Sequence, residues 1–324
     1  MESQNKTILV TGGHSGLGIY CSKQLASYNY NIILAGRSPE KMEGLANELR
    51  SAHNIKVHLI KMDTSSFASV RAGVSECKSL LDHGEVAYLN GIICNAGVRL
   101  NGDITYTKDD YETTYATNYL GHVLLVELMM DRIAKNGRIV FTASGTHDPD
   151  TADGKMMGVA DNATAVELAN TGKNGSKPIS LGKMYATSKL DMIQYIYELD
   201  RKLKKTNIPI AAIAFDPGAT PGTGFLRNMP KPVAWLAGTS FMQWMMKKNG
   251  VTTSTADFSG ESLAKVAVDP AYADGSGKYF QCNVGQLSER RSSKSSYDEN
   301  RAAKLWEDTQ KLIHIKADET ILSL

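Results

Sequence analysis

The stretch from Thr7 to Gly18, TILVTGGHSGLG, constrains the fold of this chain more than any other. Ile8, Leu9 and Val10 are apolar without alternation, the pattern of a strand buried on both faces of a parallel sheet. Gly12, Gly16 and Gly18 follow at once. Glycines so placed allow a tight turn, close approach of backbone to a pyrophosphate, and close packing of the next helix. A helix starting near Ser15 turns its unpaired N–H groups and positive dipole end toward that phosphate. The segment reads as strand, turn, helix, with Gly12, His14, Ser15, Gly16, Leu17 and Gly18 lining a nucleotide-phosphate site.

The pattern then repeats. Leu17, Tyr20, Cys21 and Leu25 carry helical spacing, and Asn31 to Ala35 is a second buried strand. Ser38-Pro39-Glu40 supplies an N-cap, a proline at the first helical position and an acid in the first turn of the next helix. Further strands are predicted at 56–60, 91–94, 138–142 and 209–215, with helices at 67–81, 119–133, 185–204, 257–267 and 300–313 and a last strand near Lys278 to Phe280. Strands alternating with helices imply an α/β fold with a doubly wound parallel sheet, in one domain spanning 1–324, whose ligand crevice lies at the carboxyl ends of the strands. Residues 145–184 break the rhythm with Gly, Asp, Asn and Lys and read as an insertion beside the site.

Composition excludes several classes. The 36 Lys and Arg against 34 Asp and Glu leave a net charge of +2, with no basic stripe to suggest a nucleic-acid partner. Four cysteines lie far apart without metal-ligand spacing, so no metal site is expected and the thiols read as reduced, in a cytoplasmic protein. No apolar run approaches the roughly 20 residues that span a bilayer. The polar N-terminus enters the first strand almost at once, which argues against a signal peptide, while peripheral membrane contact and oligomeric state stay open.

The residues that carry chemistry follow strand ends. Tyr185 and Lys189 lie four apart, hence on one helix face, where a cation favours phenolate and lowers the tyrosine pKa from about 10 toward working pH. Ser144 lies just beyond the fifth strand, where its hydroxyl can hold a substrate oxygen; a turn-forming serine is the plainer alternative. His147 reads as a solvated loop histidine. Asn118 is polar within an apolar helix and needs a reason to be there. Arg37, with Ser38, ends the second strand where an acid would bind the 2′-hydroxyl of NAD; an arginine fork instead suits the 2′-phosphate of NADP(H).

Taken in order, Thr11-Gly12-x-x-x-Gly16-x-Gly18, Asn95-Ala96-Gly97, Asn118, Ser144, Tyr185-x-x-x-Lys189 and Pro217-Gly218 resemble the short-chain dehydrogenase/reductase family, in its retinol dehydrogenase and protochlorophyllide reductase-like branch. The resemblance implies a Rossmann fold and a nicotinamide cofactor. It also implies that Tyr185 is the general acid, Ser144 the substrate-polarising hydroxyl and Lys189 the partner of both tyrosine and nicotinamide ribose. Asn118 would hold a water in a proton relay, Asp63 would meet the adenine amino group, and Asn95, Ala96 and Gly97 would pack behind the adenine-side ribose. Cys94 stands where the family has an asparagine, a departure expected to loosen hydrogen bonding at the sheet end. The position expected to hold a threonine against the carboxamide is Gly222, which leaves Thr220 and Thr223 as alternatives.

These residues predict an NADP(H)-dependent oxidoreductase acting on a small-molecule carbonyl or alcohol. Reduction of a carbon–carbon double bond and a non-catalytic NADP sensor are the alternatives. Residues 219–250, crowded with Phe, Trp and Met between glycines and prolines, read as a lid over a bulky apolar substrate. A core helix and a surface attachment are the competing readings of that segment.

Overall fold

The computed structural model describes residues 6–220, 239 and 248–322. An eight-stranded sheet runs through it in the order β3-β2-β1-β4-β5-β6-β7-β8. The strands are β1 (Lys6–Thr11), β2 (Asn31–Gly36), β3 (Val57–Lys61), β4 (Tyr88–Cys94), β5 (Ile133–Thr142), β6 (Ala211–Asp216), β7 (Lys278–Asn283) and β8 (Gln286–Arg290). Every pairing is parallel except β7 with β8. Helices α1 (Leu17–Ser27), α2 (Glu43–Ala52), α3 (Phe67–Asp82) and α4 (Gly121–Met129) follow the first four strands. After β5 come the short α5 (Ala152–Met157) and α6 (Ala165–Ala169), then the long α7 (Leu181–Lys205), with α8 (Ala256–Val268) and α9 (Glu299–Leu312) completing the chain.

The continuous apolar strands now have their explanation. Alternate residues of one strand enter two different apolar layers, so neither parity can be polar. Ile8 and Val10 pack with Leu25, Leu34 and Leu263 beneath α1, α2 and α8. Leu9 and Ile92 pack on the other face with Val70, Val123 and Ile193 beneath α3, α4 and α7. The doubly wound sheet expected from the sequence is therefore present, and its strand ends gather the candidate site.

Three details differ from expectation. β5 begins at Ile133, five residues before Arg138, at the expense of the preceding helix. That helix begins earlier, at Thr113, and winds as a π turn over Ala116–Leu120 before α4. β8 was not foreseen, because Gln286, Ser288, Glu289 and Arg290 hide the strand pattern; as an edge strand it carries charge at little cost.

The segment between Gly145 and α7 and the terminal helix α9 are tied to each other and to α7. Arg301 of α9 donates to the Asp161 carbonyl at 2.7 Å and to Asp191 Oδ1 on α7 at 2.8 Å. Tyr115 donates to the other Asp191 oxygen at 2.8 Å. The stretch read as a lid lies outside the described residues except at 219, 220, 239 and 248–250, and Thr223 lies outside them too. Among the described residues no helix is long and apolar enough to cross a membrane.

Candidate active site

The glycine turn is built as tightly as its residues demanded. Gly12 has φ +65° and Gly16 φ +55°, conformations that side chains with a Cβ rarely adopt. A Cβ at Gly18 would lie 2.3 Å from the Gly12 carbonyl oxygen, so α1 packs directly on the turn. Gly16 caps α1 and contributes no side-chain bond there, which suits an anion at the eleven-residue helix's N-terminus. His14 lies over Gly36, where a Cβ would meet its ring at 2.9 Å, and so sits beside the start of the Arg37-Ser38 pair at the end of β2. Arg37 and Ser15 are exposed, while Ser38 and Leu17 are half-buried. Asp63 uses one carboxylate oxygen to accept from the Ser65 backbone and hydroxyl, at 3.0 and 2.8 Å. A glycine cradle, a helix end without a side-chain cap and an exposed arginine at the β2 end fit a phosphorylated dinucleotide.

Behind the cradle, the Thr11 hydroxyl organises the sheet end. It accepts from the backbone N–H groups of Asn95 and Ala96 at 2.9 and 3.0 Å, while Asn95 Nδ2 donates to the Thr11 carbonyl at 3.1 Å. The loosening expected from Cys94 is thus met by other bonds; Cys94 is buried. Thr11 Oγ1 also pairs with His122 Nε2 at 2.9 Å, and His122 Nδ1 lies 2.8 Å from the Asn118 carbonyl. A carbonyl only accepts, so Nδ1 carries the proton and Nε2 accepts from Thr11. Burial pushes the His122 pKa down to about 4, keeping the ring neutral. This histidine escaped the reading of the sequence; its signal was an imidazole inside an otherwise apolar helix.

Asn118 sits in the π turn, fully buried. Its side chain accepts from the Val98 N–H at 2.8 Å and donates to the Val98 carbonyl at 2.9 Å. Both main-chain groups of Val98 are therefore clamped, and the loop after β4 is fixed in place. The side-chain amide also reaches Ser188 Oγ at 3.4 Å on α7. Gly97, just before the clamp, lies between Asn118 and Lys189: a Cβ there would be 3.3 Å from Asn118 Oδ1 and 3.9 Å from Lys189 Nζ.

Ser144, Tyr185 and Lys189 come together as the spacing required. The Ser144 hydroxyl hydrogen-bonds the Tyr185 phenol. Lys189 Nζ donates to the Thr142 carbonyl at 2.7 Å and lies 5.6 Å from the centre of the tyrosine ring. The electrostatics differ from expectation. Burial raises the Tyr185 pKa above the usual tyrosine value, while the Ser144 bond and the Arg99 charge pull it back down. Burial likewise pushes Lys189 down to about 7, against the Asp216 charge. The cause is common to both groups: taking a phenolate or an ammonium out of water costs more than their mutual distance returns here.

Asp216, Pro217 and Gly218 close the far side. Asp216 is buried and accepts from the Gly218 N–H at 2.9 Å, the Tyr279 hydroxyl at 2.7 Å and Gln281 Nε2 at 2.8 Å. Gly218 has φ +69°, and Ser259 Oγ donates to the Pro217 carbonyl at 2.7 Å. Thr220, half-buried, follows. His147 is buried rather than solvated: Nδ1 donates to the Ser144 carbonyl at 2.7 Å, and Nε2 accepts from the Ser293 N–H at 3.0 Å. It ties the Ser144 turn to the Ser293 loop, 146 residues further along the chain. A cavity of about 400 Å³ opens nearby, between Asn101, Gly102 and Ile104 on one side and Pro178 to Leu181 at the start of α7 on the other. Leu181 is one turn ahead of Tyr185, and helix side chains lean toward the N-terminus, so this groove adjoins the phenol's turn.

The model of the short chain dehydrogenase family matches residues 6–152. A polyprenol dehydrogenase of Danio rerio is 29% identical, with 97% of this chain and 89% of that protein covered. A chloroplastic protochlorophyllide reductase A of Oryza sativa subsp. japonica is 29% identical over 94% of this chain and 80% of its own. Among solved structures, a short chain dehydrogenase from Burkholderia cenocepacia in complex with NADP superposes with a TM-score of 0.63 at 20% identity, covering 87% of this chain and 98% of that one.

Proposed function

The chain belongs to the short-chain dehydrogenase/reductase family of oxidoreductases, in the branch of the retinol dehydrogenases and protochlorophyllide reductases, and on that premise we propose that it is an NADP(H)-dependent carbonyl reductase or alcohol dehydrogenase. The observation that carries this reading is the convergence of Ser144, Tyr185 and Lys189 at the carboxyl end of a sheet whose first turn is a glycine cradle. When bound, the nicotinamide supplies or accepts the hydride. Tyr185 exchanges the proton with the substrate oxygen, and Ser144 donates to that oxygen and holds it beside the phenol. Lys189 orients the nicotinamide ribose from its anchor on Thr142 and steadies the phenolate once the ribose side is filled. Asn118 holds the Gly97-Val98 loop against Lys189 and completes the path by which the proton leaves.

Arg37, with Ser38 and His14 near it, would hold the 2′-phosphate, which makes NADP(H) rather than NAD(H) the cofactor. Gly12, Ser15, Gly16, Leu17 and Gly18 would take the pyrophosphate, and Asp63, Asn95, Ala96 and Gly97 the adenosine side. Pro217, Gly218 and either Thr220 or Thr223 would meet the nicotinamide. Ile104, Pro178, Ile179 and Leu181 along the groove support a substrate with a bulky apolar portion. The four buried, unbridged thiols support a reducing compartment such as the cytoplasm; the rice relative is named chloroplastic, so a fluorescent fusion in the source cells decides between compartments.

The experiment is oxidation of NADPH and NADH with ketones, aldehydes and enones of increasing size, in the wild type and in Tyr185→Phe. Turnover of ketones or aldehydes that Tyr185→Phe lowers by about 10²-fold or more, with NADPH binding kept, is the expected result. Turnover confined to enones would favour carbon–carbon double-bond reduction, a reading supported by the likeness to protochlorophyllide reductase. Dinucleotide binding with no turnover on any class would make the protein a sensor.

A further inference from the structure

We propose that Thr146 is a positioning residue for Ser144: by filling the lone pairs of the Ser144 hydroxyl with its own N–H and O–H, it fixes that hydroxyl as a hydrogen-bond donor toward the reacting oxygen. The inference rests on the reading of Ser144 and Tyr185 as the pair that meets the substrate oxygen, and it adds a residue from outside the Ser-Tyr-Lys set.

Strand β5 ends at Thr142, and Gly145 to His147 make a single tight turn directly after Ser144. Thr146 donates to Ser144 Oγ twice, from its backbone N–H at 3.3 Å and from its hydroxyl at 3.1 Å. The Ser144 carbonyl is taken up in the same way by the next residue, His147, which donates to it from its N–H at 3.2 Å and from Nδ1 at 2.7 Å. Thr146 and His147 are both buried, and the Ser293 N–H holds His147 Nε2 at 3.0 Å, which leaves the turn little room to move.

A hydroxyl has two lone pairs and one hydrogen. With both lone pairs occupied, Ser144 has only the hydrogen left to offer. A serine that closes an ordinary turn needs one donor, the N–H two residues on; here the threonine hydroxyl supplies a second. The consequence falls on Tyr185. Against an open lone pair on Ser144, the phenol can spend its own hydrogen there, and that bond holds the phenol neutral. Against a filled one, Ser144 donates to the phenol oxygen, and the bond favours the ionised form. The hydrogen of the phenol then stays available. A carbonyl oxygen placed between the two hydroxyls receives a donor from each, which is what a developing oxyanion requires.

The test reads the phenol directly and turnover beside it. Difluorotyrosine, whose phenol is more acidic than that of tyrosine, is placed at position 185 of the full chain and titrated by ¹⁹F NMR in the wild type, Thr146→Val, Thr146→Ala and Thr146→Ser. Valine keeps the shape of threonine without its hydroxyl, alanine makes the result independent of how valine packs, and serine keeps the hydroxyl. Lys189, Asp216 and Arg99, the charged groups around the phenol, are the same in all four proteins. The expected result is a midpoint raised by about half to one pH unit in Thr146→Val and Thr146→Ala and restored in Thr146→Ser. In the unlabelled proteins, kcat for a ketone or aldehyde should fall about three- to tenfold in Thr146→Val, the scale of one hydrogen bond, with KM for NADPH unchanged. An unmoved midpoint in a folded variant without the hydroxyl overturns the proposal. So does a rise that Thr146→Ser leaves uncorrected, or an unchanged kcat on a carbonyl that the wild type turns over. Because the titration needs no substrate, a raised midpoint in a protein that turns over none of the carbonyl panel would reject the enzymatic reading and leave the polarity of the Thr146–Ser144 pair standing.

Discussion

Replacing glycine by alanine at two positions should have opposite effects, and the structure supplies both magnitudes. At Gly18, the added Cβ would lie 2.3 Å from the Gly12 carbonyl oxygen and 3.0 Å from Asn95 Nδ2. A carbon and an oxygen in ordinary contact stand more than 3 Å apart, so the turn and α1 must separate by most of an ångström, and the obstacle is backbone. Overpacking of this kind costs about 1–3 kcal/mol. In a chain of this size that lowers the melting temperature by on the order of 5 °C. The displaced Gly12 carbonyl also pulls on Asn95, whose amide bonds it at 3.4 Å, so the cradle opens as the fold weakens. At Gly44, in the first turn of α2, a Cβ would have nothing within 4 Å, and the residue is exposed. There alanine lowers the entropy of the unfolded chain and stabilises by roughly 0.5–1 kcal/mol. The assay is thermal unfolding of both variants with and without NADPH, together with NADPH affinity by fluorescence titration. Gly18→Ala should melt lower, bind NADPH at least tenfold more weakly, and lose most of the ligand's stabilising effect; Gly44→Ala should melt slightly higher and bind normally. Equal melting and equal binding for Gly18→Ala and wild type would refute the packing described for the turn.

Arg37→Ala should raise KM for NADPH far more than for NADH, since only the former carries a 2′-phosphate; equal changes in steady-state kinetics would remove Arg37 from that role. His122 yields a pH prediction with a definite sign. Its folded pKa of about 4 lies below the unfolded value of about 6.5. The unfolded chain therefore binds the proton first, and stability falls as pH drops from about 6.5 to about 4. His122→Gln should flatten that decline in urea midpoints measured across the window, and an unchanged slope would place the proton elsewhere. Asp191→Ala should cost about 3–5 kcal/mol, because it leaves the Arg301 charge and the Tyr115 hydroxyl buried without their partner. A urea midpoint within error of the wild type would show that α9 does not hold α7 through this pair.

The sequence by itself determined the layered sheet, the glycine turn and the convergence of Ser144, Tyr185 and Lys189, because each is written in short-range terms. A strand buried on both faces must be apolar at consecutive positions, as Ile8 to Val10 and Ile32 to Ala35 show. Two side chains four apart on a helix share a face wherever the helix goes. The parallel order then places strand ends together, and residues just beyond them follow. The pairing of Thr11 with His122 across 111 residues was not legible from the local surroundings of either residue.

Only the tertiary structure decided the charges. Whether Tyr185 ionises easily depends on burial by its neighbours, on Asp216 at another strand end and on Arg99 in another loop, none of which a four-residue spacing records. Packing also draws Lys189 onto the Thr142 carbonyl, and burial pushes its pKa down to about 7, neither of which the four-residue spacing records. His147 looked like a solvated loop residue until the chain after β8 brought the Ser293 N–H to its ring. β8 itself stayed hidden for the same reason: an edge strand with charged side chains is defined by its partner β7, not by its own pattern. Backbone conformation follows from local preference, whereas the free energy of a charge follows from everything within several ångströms of it, and that neighbourhood exists only once the chain has folded.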